Sequence, residues 1–509
     1  MAHSKLSRIL DLELAWKRVK KDQYDDIIPD ILYLRDVDSD KNTTIRKLKQ
    51  RLDTGYRPSQ PLEIIDIPKK GYTLRPGSYL IPEDRIIYQA VVDYISLQVE
   101  EPPEDCVFSY RLNKEKQKSD MFQFWRDWWL RWRKEMRKVY ADGYCSILRT
   151  DIAAYFEHID HRILRERILN GQVGEKEVLD LLDKLLKKWA LSDNKHIGIP
   201  QGFNASSFIG NLYLIDLDKK MRRNDFKYFR YSDEIYVLTK SEHKARKAIQ
   251  FMTHELRNLH LNLQDAKTDI LEDSGKIEKE IGTDEEDKIK VFDYEFIIKQ
   301  KKGTIKESEE EIIQYWETMK KVRAKEIDVH KFKWCIHRLS SIKNRKAVNF
   351  ILKNLSSLPF LSDEFSRYLQ LFINKESVKS KIIEFLNSRH NIYEWQEMWL
   401  LLAITKAKKL DSTQLDVLRK IVKDMQKNWA PRCAAIFALG KLGDRTDRNS
   451  LIDLYDKEGN NCVQRAIAVS VHDLPKSKRN IFYNRIKGAS YNMERLVNYL
   501  KQQNEIKTI

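Results

Sequence analysis

Four residues, Tyr231-Ser232-Asp233-Glu234, lie between two short apolar runs, Tyr228-Phe229 and Ile235-Tyr236-Val237-Leu238. Apolar runs of that length around a short polar break read as a β-hairpin carrying two carboxylates at its tip. Adjacent carboxylates repel each other, and a site that keeps them together is tolerable when divalent cations sit on them. Upstream, Ile147-Leu148-Arg149-Thr150-Asp151-Ile152 offers a third carboxylate at the end of another expected strand. Three acidic groups from two strands are the minimum for a two-metal phosphoryl-transfer site. Nucleotide polymerisation is therefore the first expectation.

The rest of the chain agrees with that. At 509 residues it exceeds one ordinary core, so two or three domains are expected. Hydrophobic residues at 42% argue for folded domains, and a net charge of +17 points to a polyanionic partner such as nucleic acid. The five cysteines are scattered, with no Cys-x-x-Cys spacing, so neither a disulfide framework nor a zinc site is expected and a reducing cytoplasm is. Met1–Lys20 has no signal-peptide pattern, and the apolar stretch Trp399–Ile404 is too short to span a bilayer. The expectation is a soluble cytoplasmic protein with no membrane partner.

Helix-like pieces open the chain at Leu6–Val19, recur at Glu83–Glu100 and dominate Phe122–Tyr140. A hairpin is expected at Lys288–Ile305, with the acidic Glu307–Glu311 opening the next helix. Beyond it no strand is expected. Trp395 and Trp429, and Arg432 and Arg465, recur at a period in the thirties, which without strands means paired helices stacked as an α-solenoid. Pro431–Gly443 followed by Leu451–Tyr455 has HEAT-like character, with Gly440 and Gly443 expected to end the first helix.

Read in order, the middle of the chain carries six short motifs, the first of them in two pieces. Leu74-Arg75-Pro76 and Asp84-Arg85-Ile86-Ile87 come first, then Asp151-Ile152-Ala153-Ala154-Tyr155-Phe156, then Gly198-Ile199-Pro200-Gln201-Gly202. Tyr231–Glu234, Leu259–Lys267 and Val291–Phe296 follow. Their order and spacing resemble the fingers and palm of reverse transcriptases, over roughly residues 60 to 300. The fold class this implies is α+β: a reverse transcriptase-like fingers-palm core, residues 61–305, followed by an all-α HEAT-like repeat domain, residues 306–509, in thumb position. Residues 1–60 would be a helical segment packing on the fingers.

The resemblance also assigns roles. Asp151, Ile152, Asp233 and Glu234 become the metal positions, holding two Mg2+ ions, or Mn2+ in their place. Glu234 replaces the usual second Asp and keeps the charge one methylene further out. Phe156 would pack under the sugar and exclude a 2′-hydroxyl, while Gln201 and Gly202 would line the nucleotide pocket. Lys267 could protonate the departing pyrophosphate, and Arg75 could clamp the triphosphate through its planar fork. Each has a plainer alternative: a solvated turn, a core Phe, a helix-entry turn, a surface Lys, a structural ion pair. His158 and His161 read as structural. Trp125, Trp128, Trp129 and Trp132 fall at helical spacing beside Arg126 and Arg131, which suits a buried helix face or a base-stacking one.

A palm core running into about two hundred helical residues resembles the abortive-infection reverse transcriptases of bacterial phage defence, the AbiK and AbiA kind. That resemblance implies template-independent synthesis from dNTPs and a single-stranded DNA product attached to a Tyr or another protein hydroxyl. It also implies a homo-oligomer. Two other readings stay open on the sequence: a conventional RNA-templated reverse transcriptase, and a nucleic-acid-binding scaffold that has lost catalysis.

Overall fold

The computed structural model describes residues 6–58, 62–115, 117–170, 175–190, 196–224, 226–282, 306–320 and 327–506. Its contacts group the chain into two units that interleave along the sequence. One takes Met1–Asp26, Asn42–Glu63 and Ser78–Glu295, and the other Ile27–Lys41, Ile64–Gly77 and Phe296–Ile509. The amino-terminal residues pack into both units, helix Leu12–Asp22 against helix Pro82–Ser96 in the first, and helix Arg35–Ser39 against helix Tyr491–Gln502 in the second.

The first unit is built on a four-stranded antiparallel sheet. Its strands are β3 (Ser146–Asp151), β4 (Lys227–Tyr231), β5 (Glu234–Thr239) and β6 (Asp269–Leu271), in the order β4-β5-β3-β6. Ile147, Phe229, Tyr236 and Leu238 share one face with Trp128, Trp132 and Met136 of helix Trp125–Ala141. The alternate residues Leu148, Ile235 and Val237 are also buried, on the face where helices Ile215–Arg223 and Glu242–Arg257 pack. Cover on both faces explains why β5 reads as a continuous apolar run instead of an alternating one.

Most of β1 (Glu63–Pro68) and β2 (Leu74–Tyr79), which pair with each other, belongs to the second unit. Its larger part is a stack of helices. Glu394–Ile404, Trp429–Leu442 and Asn461–Ser470 touch in succession and are buried over most of their length. Ser412–Lys423 and Arg445–Tyr455 cover them and bury a single stripe each. This is the HEAT-like arrangement. Gly443 follows the helix Trp429–Leu442 as expected, but Gly440 does not end it. A Cβ on Gly440 would stand 2.4 Å from the Ser470 Cβ, so this glycine is where two central helices touch.

The second unit also absorbs amino-terminal residues. Asp36, fully buried, accepts from Arg465 Nη1 and Nη2 at 2.9 and 2.7 Å and from Arg495 Nε at 3.3 Å. Trp395 Nε1 donates to the Ile27 carbonyl at 3.1 Å, and Asn428 Nδ2 to that of Ile64 at 3.0 Å. All five cysteines are free. Among the described residues no helix is long and apolar enough to cross a membrane. The expected hairpin at Lys288–Ile305 lies outside the described residues.

Candidate active site

The β4–β5 hairpin turns over Ser232 and Asp233, with Ser232 in the left-handed region at φ 61°. Strand register then fixes the carboxylates: Asp151, last of β3, is the direct partner of Glu234, first of β5. Directly opposed residues of an antiparallel pair project to the same side. Asp233 is brought alongside by its own carbonyl, which accepts from the Ile152 amide at 3.2 Å. Beyond β3, the stretch after Leu261 runs beside Asp151 and Ala153: the Gln264 amide donates to the Asp151 carbonyl at 2.7 Å and the Ala153 amide to that of Asn262 at 2.9 Å. That strip delivers Lys267, whose Nζ donates to the Asp151 carboxylate. So Asp151, Asp233, Glu234 and Lys267 come together at one end of the sheet.

Their electrostatics are strained. Part of the Glu234 side chain meets solvent. Even so, the protein packed around it, and then the charges of Asp233 and Asp151, push its carboxyl up to about 7, while Lys267 pulls the other way. Among the described residues no three His, Cys, Asp or Glu side chains already stand as a metal cage. The mutual repulsion of these carboxylates is nevertheless what a cation relieves, so the donor set fits divalent metal. Asp151 and Asp233 supply hard oxygen donors, and Ile152 has only its main-chain carbonyl to give.

The hairpin is held by a residue that motif reading passes over. Arg230 is fully buried and sends Nε and Nη2 to Asp218 at 2.8 and 2.6 Å. Its Nη1 donates to Asn211 Oδ1 at 2.8 Å and to the Ser232 carbonyl at 2.9 Å. Burial opposes its charge, but Asp218 holds its pKa above the ordinary arginine value. An Arg inside the apolar strand Tyr228-Phe229-Arg230-Tyr231 is the signal that could have flagged it. Replacing Arg230 by Met strands the buried Asp218 carboxylate. The expected loss is about 3–5 kcal/mol of stability, read from chemical denaturation against the parent chain. An unchanged unfolding midpoint would remove Arg230 as the anchor of the turn.

On the other side of Asp151, the chain turns through Ala154 in the left-handed region, at φ 44°, into Tyr155–Glu157. The Ile199 amide donates to the Phe156 carbonyl at 2.9 Å, and the Gly198 amide to that of Ile159 at 2.9 Å. The Pro200-Gln201-Gly202 turn is thereby tied to the Phe156 turn. The Gln201 amide donates to Ser78 Oγ at 2.9 Å, and Gly202 adopts φ 104°, a conformation that suits glycine. Phe156 is half-buried, its ring edge 3.4 Å from where a Cβ on Gly210 would be. Phe156→Ala is expected to lower the dNTP-to-rNTP incorporation ratio roughly tenfold or more, because the barrier is steric. An unchanged ratio in a folded variant would leave Phe156 as core alone.

Arg85, His158 and His161 prove structural. Arg85 is buried, paired with Asp22 and Asp26, and stacked 4.9 Å from the Phe203 ring. His161, held below its ordinary pKa by burial, donates from Nε2 to the Gly198 carbonyl at 2.7 Å. His158 bonds the Ala154 carbonyl at 3.0 Å, so both histidines serve the backbone. Arg75 is an exposed residue of β2 grouped with the second unit.

Residues 67–314 match the family model for reverse transcriptase (RNA-dependent DNA polymerase). The chain contains a reverse transcriptase domain. A COX1/OXI3 intron 2 protein of Saccharomyces cerevisiae is 24% identical over 181 residues, which is 34% of this chain and 19% of that protein. The chain therefore spans about a fifth of that relative's length. Among solved structures, a chain of a partial Cas6-RT-Cas1–Cas2 complex is 20% identical with a TM-score of 0.29, over 50% of this chain and 42% of the other. Telomerase from Candida albicans, with a telomeric RNA fragment, is 10% identical with a TM-score of 0.31, over 89% of this chain and 67% of the other. Asp151, Asp233, Glu234 and Lys267 all lie within the residues that the family model matches.

Proposed function

We propose that this chain is a template-independent, protein-primed DNA polymerase of the reverse transcriptase kind, acting in abortive-infection defence against bacteriophage in the bacterial cytoplasm. The observation that carries the catalytic half is the convergence of Asp151, Asp233, Glu234 and Lys267 at the end of the sheet. Asp151 and Asp233, with the Ile152 carbonyl, would hold two Mg2+ ions. Bound there, such ions activate the attacking hydroxyl and neutralise the charge of the departing pyrophosphate. Lys267 keeps an ammonium proton beside Asp151, where it can be handed to a leaving phosphate oxygen. Phe156 and Gln201 would border the sugar and base, and Gly202 would admit close backbone approach.

The defence half rests on the passage from the reverse transcriptase domain into a HEAT-like array, the combination that the abortive-infection enzymes resemble. The family model that matches residues 67–314 describes RNA-dependent synthesis and so favours a templated reading as well. One experiment separates them. Purified full-length protein is incubated with each dNTP and magnesium, with and without an oligonucleotide template, and run on a denaturing gel before and after protease digestion. The proposal expects product without template that migrates with protein until protease frees it, and an oligomer in light scattering. Copying only when a template is added favours the conventional enzyme, and no incorporation in any arm favours an inactive scaffold.

A further inference from the structure

The tryptophan stripe of helix Trp125–Ala141 is not wholly used by the core, against which Trp129 also packs in part. Trp128 and Trp132 are buried against the sheet, whereas Trp125 is 55% exposed and Phe124, just before it, 56% exposed. The rings of Phe124 and Trp125 lie 6.1 Å apart. The Arg126 guanidinium sits 5.5 Å from the first and 5.9 Å from the second. Flat rings with a cation over them are a surface suited to nucleobases and phosphates together.

These rings end a series that starts at the carboxylates. Tyr231 immediately precedes Ser232-Asp233-Glu234, and the Trp132 ring packs 5.4 Å from it. The Ser232 amide donates to Ser109 Oγ at 2.7 Å, so Tyr110 follows directly on a residue bound to the turn, and its ring lies 5.3 Å from that of Phe122. Phe122 and Phe124 alternate in an extended stretch that pairs with Leu112, so they share a side. From Trp132 back to Trp125 is about 10 Å along the helix, the length of roughly three stacked bases. Between Tyr110 and Phe122 the sequence carries Lys114, Lys116 and Lys118, of which Lys114 and Lys118 are exposed.

We infer that Tyr110, Phe122, Phe124 and Trp125 form a stacking track for single-stranded DNA leaving the carboxylate site, with Arg126, Lys114 and Lys118 meeting its phosphates. Stacking of this kind accepts any base but needs the base face free, which excludes a duplex. The assignment of the strand as DNA product rests on the polymerase reading above.

Binding can be tested without synthesis. The full-length chain carrying Asp151→Ala is titrated against a dye-labelled oligothymidylate of about ten nucleotides and followed by fluorescence anisotropy. Phe124→Ala and Trp125→Ala are each expected to weaken binding roughly tenfold, while Trp125→Phe stays within about threefold. Arg126→Ala is expected to reduce the slope of log affinity against log salt by about 0.7. Both rings are exposed, so thermal melts followed by circular dichroism should match the parent. If the Phe124→Ala/Trp125→Ala chain melts like the parent and binds equally well, the track is overturned. Tighter parent binding to a duplex or to oligouridylate overturns it too. Incorporation by the chain with Asp151 intact is scored separately. Loss of binding in the ring variants with no incorporation supports the track and removes the polymerase reading, whereas incorporation with unaltered variant binding removes the track alone.

Discussion

Asp151→Ala and Asp233→Ala each lower nucleotide incorporation by at least about a thousandfold while leaving the chain folded. Few carboxylates converge on the site, so each replacement removes a large share of the oxygen donors available to a metal. The fold survives because this corner is shaped by main-chain bonds and by the Arg230 anchor: the register of β3 on β5, Ile152 to Asp233, Gln264 to Asp151, and Arg230 to the Ser232 carbonyl. Losing Asp151 frees Lys267, but that side chain is already 62% exposed, so little stability goes with it. In buffer without divalent metal the melting temperature is expected to stay level or rise, since each variant removes one of the charges that add to burial in raising the Glu234 carboxyl. Glu234→Gln is expected to be milder than Asp233→Asn, its carboxyl lying one methylene further out. Near-parental incorporation by either alanine variant would remove the palm carboxylates from the chemistry, and equal severity at Glu234 would put that residue in the metal shell.

Deleting residues 306–509 yields an insoluble or inactive product. A helical array buries its apolar faces only against its neighbours, and here some of those neighbours come from the amino-terminal end. Residues 27–41 and 64–77 belong to the same unit as the array, so the deletion would expose surfaces of theirs that now face Arg465, Arg495, Trp395 and Asn428. Asp36→Ala is the single-residue form of the same test. It leaves Arg495, 1% exposed, and Arg465 without the carboxylate between them, at a cost of about 3–5 kcal/mol. Burial works against the Asp36 charge, but Arg465 and Arg495 hold its carboxyl well below the usual carboxylate range. Its stabilisation is therefore fully present above about pH 4 and is lost as pH falls toward the folded value. A soluble truncated protein that still extends DNA would sink the coupling of the array to the amino-terminal segments. So would an Asp36→Ala chain that unfolds at the parental denaturant concentration.

Local pattern carried far in this chain, for reasons particular residues make plain. The apolar runs on either side of Ser232-Asp233 announce β4 and β5, and Asp151 at the end of Ile147–Asp151 announces β3, because strand ends and tight turns are written in neighbouring residues. The period in the thirties from Trp395 to Arg465 announces stacked helices, because each repeat meets its neighbour in the same way. Motif reading also named Asp151, Asp233, Glu234 and Lys267, and the fold brings these four to one end of the sheet.

What the sequence alone left undetermined depends on partners distant in the chain. Nothing near Arg230 predicts Asp218 and Asn211 as its partners, and nothing near Asp36 predicts arginines 429 and 459 residues away. Helical spacing put four tryptophans on one face, yet only the sheet decides that Trp128 and Trp132 are buried and Trp125 is not. Gly440 read as a helix end, whereas the approach of Ser470 makes it a contact point within a helix. Helix, strand and turn follow from short-range backbone and side-chain preferences, and those are legible residue by residue. Burial and ion pairing follow from which surfaces meet in three dimensions, and only the folded chain decides that.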